Sequence, residues 1–146
     1  MPGAGRPRRT WLTAPEAATA VRDELDAGDE VFAMRIVARL LADLRALERP
    51  GDITRCLAPP STTGDRRWDT LVAAAVGREC RHKGVVDTPT WTDPSPLSTW
   101  WFPLLADPIL TARAMQRTPV DLAARGIWLD ARALEPDRWS SEGAAT

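Results

Sequence analysis

The chain has 146 residues, close to the commonest size for one domain, with 44% hydrophobic and 27% charged residues; this is globular composition and excludes wholesale disorder. Nineteen basic residues oppose twenty acidic ones for a net charge of −1, so the basic footprint of a general nucleic-acid binder is missing. No apolar run reaches the roughly 18 residues of a membrane-spanning helix, and Arg6, Arg8 and Arg9 have no apolar stretch behind them. The expectation is a cytoplasmic protein with no secretory signal.

Residues 1–10 hold two prolines, two glycines and three arginines and read as a flexible arm. A sharp helix start follows. Thr13-Ala-Pro-Glu16 has the spacing of a capping box, with Pro15 in the first turn, where its missing N–H costs nothing. Ala17, Ala18, Val21 and Leu25 recur at helical spacing, and Gly28 is placed to stop the helix. Asp29 caps a second helix whose apolar face is Phe32, Ile36, Leu40, Leu44 and Leu47, widened by Met34, Val37 and Leu41. Pro50-Gly51 is expected to end it. Two stripes joined by Gly28-Asp29 predict a helical hairpin.

A short helical turn is expected from Ile53 to Leu57, then a Pro/Ser/Thr/Gly loop. The third long helix runs from Asp65 to Gly84, with Trp68, Leu71, Val72, Ala75 and Val76 on one face. Gly77 weakens that helix by roughly 1 kcal/mol relative to alanine, which points to another element packed close against it. Pro89, Pro94, Pro96 and Pro103 break the next stretch, while Trp91, Trp100, Trp101 and Phe102 give it a large apolar area. Two short helices begin at Asp107-Pro108 and Thr118-Pro119, the second stopped by Gly126. Ile127-Trp128-Leu129 is a short extended piece, Asp130 caps a last turn through Leu134, and a tail of small residues closes the chain. The predicted fold is all-α: one helical domain over 11–138, with three longer helices, two or three short ones and a packed Pro/Trp-rich segment. A flexible tail follows at 139–146.

Catalytic and metal chemistry finds little support. The lone histidine lies in Glu79-Cys80-Arg81-His82, but a Cys and His two apart on a helix point in different directions. Glu79 and Lys83 have the spacing of an i,i+4 ion pair, and positive charge at a helix C-terminus is favoured by the macrodipole. Cys56 and Cys80 form no metal-ligand spacing and are expected to be buried free thiols. The acid pairs Glu24/Asp26, Asp29/Glu30 and Asp87/Asp93 surround caps and turns. No phosphate-cradling loop, nucleophile elbow or zinc-helix motif is present. The expectation is a non-enzyme with no cofactor and no metal.

Two binding surfaces remain. Arg6, Arg8 and Arg9 could track a nucleic-acid backbone, although Glu16, Asp23, Glu24 and Asp26 on the next helix would repel phosphate. Tryptophan and arginine dominate interface hot spots, which nominates Trp91, Trp100, Trp101 and Phe102 with Arg113 and Arg117. Their alternative role is a core lid over alanine-rich helices. Adjacent Trp100 and Trp101 cannot easily both point inward.

The landmarks from residue 63 onward form an ordered set. They are Gly64-Asp-Arg-Arg-Trp68-Asp-Thr-Leu71, Thr88-Pro-Thr-Trp91-Thr, Trp100-Trp101-Phe102, Ala112-Arg113-Ala114, Thr118-Pro119 and Arg125-Gly126-Ile127-Trp128-Leu129-Asp130, ahead of Leu134-Glu135. Together they resemble an uncharacterised helical domain common in actinobacterial proteins. In many of its relatives that domain follows a repressor-like helix-turn-helix, in genes beside nucleotidyltransferase-type toxins. The likeness covers about the last 70 residues closely and Leu25-Asp-Ala-Gly28-Asp-Glu-Val-Phe32 more loosely. It implies an antitoxin-like or regulatory protein whose partner is another protein, such as a toxin encoded next to it. No helix-turn-helix is recognisable here, which weakens promoter binding more than toxin binding. A DNA-associated transcription regulator using the arginine arm is the alternative.

Overall fold

Thr13 sets where the first helix begins. Its Oγ1 accepts from Glu16 N at 3.3 Å while the Glu16 carboxylate accepts from Thr13 N at 3.0 Å, the reciprocal arrangement expected of a capping box. Residues 9–104 and 108–136 are described by the computed structural model. In it α1 spans Ala14–Asp26 and α2 spans Glu30–Ala46, with the Asp29 carboxylate accepting from Phe32 N at the α2 cap. The two pack as the predicted hairpin. The hairpin buries Ala14, Ala17, Ala18 and Val21 of α1 and Ala33, Met34, Val37, Ala38 and Leu41 of α2. Phe32, expected on the buried face, is 44% exposed, and Ile36 is only half-buried. The buried face of α2 takes in Ala33 and Ala38 beside its larger residues, which leaves Phe32 at the edge.

Pro50 does not end α2. The chain leaves the helix at Leu47, which is extended, and Pro50 opens α3 (Pro50–Cys56). Arg49 is extended too, as the ring of a following proline demands. The longest helix, α4 (Arg66–Lys83), has the predicted ends, with Asp65 as N-cap and Gly84 in the left-handed conformation as C-cap. Every residue from Thr70 to Gly77 is buried, making α4 the central element. The turn at Thr90–Thr92 crosses it at Gly77, where an added Cβ would stand 2.5 Å from the Thr92 carbonyl oxygen. This is the close approach anticipated from the glycine.

α5 (Pro108–Arg117) and α6 (Val120–Ala123) follow. Thr118 does not cap α6. Its hydroxyl donates back to the Ala114 carbonyl and accepts from Leu129 N, so it ties α5 to the extended piece instead. Asp130 caps the 3₁₀ turn Ala131–Leu134 by accepting from Arg132 N. That turn packs on α2 and adds Ala133 and Leu134 to the core, while α6 packs on α4. The expected Glu79–Lys83 pair is replaced: Glu79 binds Arg45 of α2, and Lys83 Nζ donates to the Arg45 carbonyl at 3.0 Å. Burial favours the guanidinium here, because its planar fork satisfies both carboxylate oxygens. Arg39 and Asp43 form the expected surface pair.

The fold is all-α. Among the described residues the only extended pairing is an isolated parallel bridge between Trp101 and Ile127. One buried cluster runs from Ala14 to Leu134. No helix of the described residues is long and apolar enough to cross a membrane. Residues 1–8 of the expected arm, and the tail at 139–146, lie outside the described residues. Arg9 does not behave as part of a free arm: its Nε donates to the Trp11 carbonyl, its guanidinium lies over the Trp11 ring, and it forms an ion pair with Glu16.

Candidate partner-binding face

Backbone hydrogen bonds strap the proline-broken segment to the piece after α6. Leu97 N donates to Arg125 O at 3.0 Å, Trp101 N to Gly126 O at 2.8 Å, and Trp128 N to Trp101 O at 2.9 Å. Arg125 clamps the near end, donating to the Pro94 and Asp121 carbonyls and to the Asp93 carboxylate. Prolines remove donors and preclude a helix over this stretch, so the segment is held by a neighbour's backbone. In extended chain, successive side chains point to opposite sides.

That alternation divides the aromatic residues. Trp101 turns inward and is 9% exposed, its ring edge-on to Trp68 at 5.5 Å between centroids, with the Arg67 guanidinium 5.2 Å above it. Asp65, through its hydrogen bonds, holds the Arg67 guanidinium in its charged form. Trp100 turns outward and is 62% exposed. It meets Trp128 edge-on at 5.1 Å, and Phe102 stacks on the same Trp128 ring at 6.4 Å. The outward side therefore carries exposed Trp100 beside half-buried Trp128 and Phe102, with the Trp128 ring touching both of the others.

Trp128 was not among the residues nominated from sequence, yet it is the middle of this face. The signal in the sequence is the alternation: in an extended piece aliphatic Ile127 and Leu129 turn to one side, which is buried, and the residue between them turns to the other. Trp101 belongs to the core. Trp91 stands apart from the face. It is half-buried, its Nε1 donates to the Leu57 carbonyl at 2.9 Å, and it lines a shallow concavity with Pro60, Thr62, Thr63 and Thr70. Arg113 and Arg117 are exposed on α5, whose last turn is joined through Thr118 to Leu129, next to Trp128. Arg117 lies 3.9 Å from Asp130. Burial raises the Asp130 pKa, but hydrogen bonds from Arg132 and the charge of Arg117 outweigh it, so the carboxyl titrates below its ordinary range.

The remaining sequence candidates do not converge. Cys80 is buried and His82 exposed on α4, so the thiol and imidazole do not meet. No group of three or more metal-ligating side chains occurs among the described residues. Arg6 and Arg8 lie outside the described residues, and Arg9 is engaged with Glu16 and Trp11. An apolar groove of about 680 Å³ lies between α3 and the loop after α4, walled by Ile53, Leu57, Pro59, Val85 and Val86. In comparisons with known proteins, no family model, no curated protein and no solved structure matches this chain.

Proposed function

We propose that this chain is a non-enzymatic, cytoplasmic protein-binding module that acts as the antitoxin-like partner of a toxin encoded beside it. The toxin comes from the family resemblance of the landmarks between Gly64 and Glu135. The observation that carries protein binding is Trp100, an indole 62% exposed yet fixed edge-on against Trp128. A large ring held rigid in solvent loses little entropy on binding and gains its full apolar area. Trp128 and Phe102 widen the surface, and Arg113 and Arg117 supply cations for its rim. The mechanism is occlusion, with the aromatic face covering the toxin's cleft. Arg9, already engaged with Glu16 and Trp11, supports protein over nucleic acid as the partner.

Co-purification with the adjacent gene product tests this, using Trp100→Ala and Trp101→Ala in parallel. Trp100→Ala should weaken the complex by about 2 kcal/mol while lowering the melting temperature of the free protein far less than Trp101→Ala does. Trp101→Ala should lower stability by about 3 kcal/mol or more, as loss of a buried aromatic does. Unaltered binding by Trp100→Ala overturns the proposal.

A further inference from the structure

The spacing on α4 places Arg78 and His82 one turn apart on one flank, with Glu79 and Lys83 one turn apart beside them. These four, with Arg45 of α2 and Glu135, line a pocket of about 500 Å³, within the size range of small-ligand sites. Its two carboxylates are already bound. Glu79 has a side chain only 4% exposed and takes Nε and Nη2 of Arg45, while Nη1 of Arg45 reaches Glu135 at 3.4 Å. Lys83 uses one of its three N–H donors on the Arg45 carbonyl. Arg78 is half-buried, and neither it nor His82 has an ion pair or hydrogen bond among the described residues.

Three fixed cations thus face two carboxylates, and the surplus positive charge sits on the flank that carries Arg78. The helix dipole accounts for positive charge in the last turn, at His82 and Lys83. Arg78 lies five residues before the end of α4, beyond the reach of that effect. A half-buried guanidinium without a counter-charge calls for an anion. We propose that this pocket binds the phosphate group of a small molecule. The Arg78 fork would take two phosphate oxygens, and the spare Lys83 donors and the His82 ring would take the third. Apart from the His82 imidazole, every lining residue is charged and none is aliphatic, so the phosphate itself is the recognised group.

His82 is the only histidine, so its imidazole Cε1–H gives a single proton NMR signal that reports on the pocket. The full chain is titrated with sodium pyrophosphate at fixed pH and ionic strength, with adenosine monophosphate and acetate as parallel probes. The expected result is a saturable shift of the His82 signal with pyrophosphate, a similar one with the nucleotide, and none with acetate. Arg78→Gln should weaken pyrophosphate binding about tenfold or more, and Arg78→Lys should restore part of it; circular dichroism checks that both are folded. Lys83→Gln, on the same rim, should weaken binding independently. A shift that never saturates, or one unchanged by both Arg78→Gln and Lys83→Gln, overturns the site. Saturation by acetate at the same concentrations overturns its phosphate character.

Discussion

The carbonyl oxygen of Thr92 occupies the space a side chain at Gly77 would need. An alanine Cβ there would stand 2.5 Å from that oxygen and 3.3 Å from Thr92 Cβ, so α4 and the Thr90–Thr92 turn would have to separate. On helix propensity alone Gly77→Ala would stabilise α4 by roughly 1 kcal/mol. The clash is with backbone, which cannot swing aside, and overpacking costs about 1–3 kcal/mol. The clash wins. Gly77→Ala should lower the urea midpoint, whereas Gly51→Ala, with open space around it, should not.

Arg45 is the hinge pin between α2, α4 and the end of the last turn, through Glu79, Glu135 and the Lys83 contact. Arg45→Met leaves the Glu79 carboxylate buried without its fork and should cost about 2 kcal/mol. Arg45→Lys restores charge but not both hydrogen bonds, and should recover only part. The double variant Arg45→Met/Glu79→Leu should be more stable than Arg45→Met alone, because it removes the stranded charge. Chemical denaturation of the parent, Arg45→Met, Glu79→Leu and the double variant forms a double-mutant cycle that checks this order, with Arg45→Lys measured beside it.

Asp65 links stability to pH. The Arg67 guanidinium, hydrogen-bonded to it, holds its carboxyl below the ordinary value of 3.8. Its folded pKa is therefore lower than its unfolded one. The stabilisation is complete above the unfolded value and disappears as pH falls through the folded one. Asp65→Asn should be less stable than the parent at neutral pH and equal to it in strong acid. Denaturant midpoints of both proteins across that range would show the two curves converging only below pH 3.8.

Burial, reinforced by the nearby Asp43 charge, pushes the Cys56 thiol up to about 11, and burial also raises Cys80. A thiol reacts as its thiolate. In the native protein at mildly alkaline pH neither cysteine should react with a disulfide reagent on the timescale of mixing, and both should in denaturant. Fast labelling of Cys56 alone without denaturant would show that the core opens locally around α3.

What the sequence made legible is local chemistry. The Thr13 capping box, the Asp29 and Asp65 caps and the Gly84 stop each depend on a few neighbouring residues, and a glycine inside a helix announces the crowding at Gly77 without naming Thr92 as its source. Relationships set by distant parts of the chain were harder. The helical spacing places Phe32 on the apolar stripe of α2, whereas the buried face takes in the smaller Ala33 and Ala38. The spacing pairs Glu79 with Lys83 one turn away, yet its partner Arg45 is 34 residues distant. The division of labour between Trp100 and Trp101 was legible as a necessity but not in its direction. That direction is fixed by bonds from Trp101 to Gly126 and Trp128.

The turn at Ala131–Leu134 covers α2, and Arg45 meets Glu135 across 90 positions of sequence. A ribosome releases the α1–α2 hairpin long before it makes those residues. Throughout that interval Leu40, Leu41 and Leu44 lack the last element that packs on their helix, and the nascent chain presents sticky surface to chaperones. Truncations that stop ahead of Ala131 should emerge from cells as aggregates rather than as shorter soluble proteins.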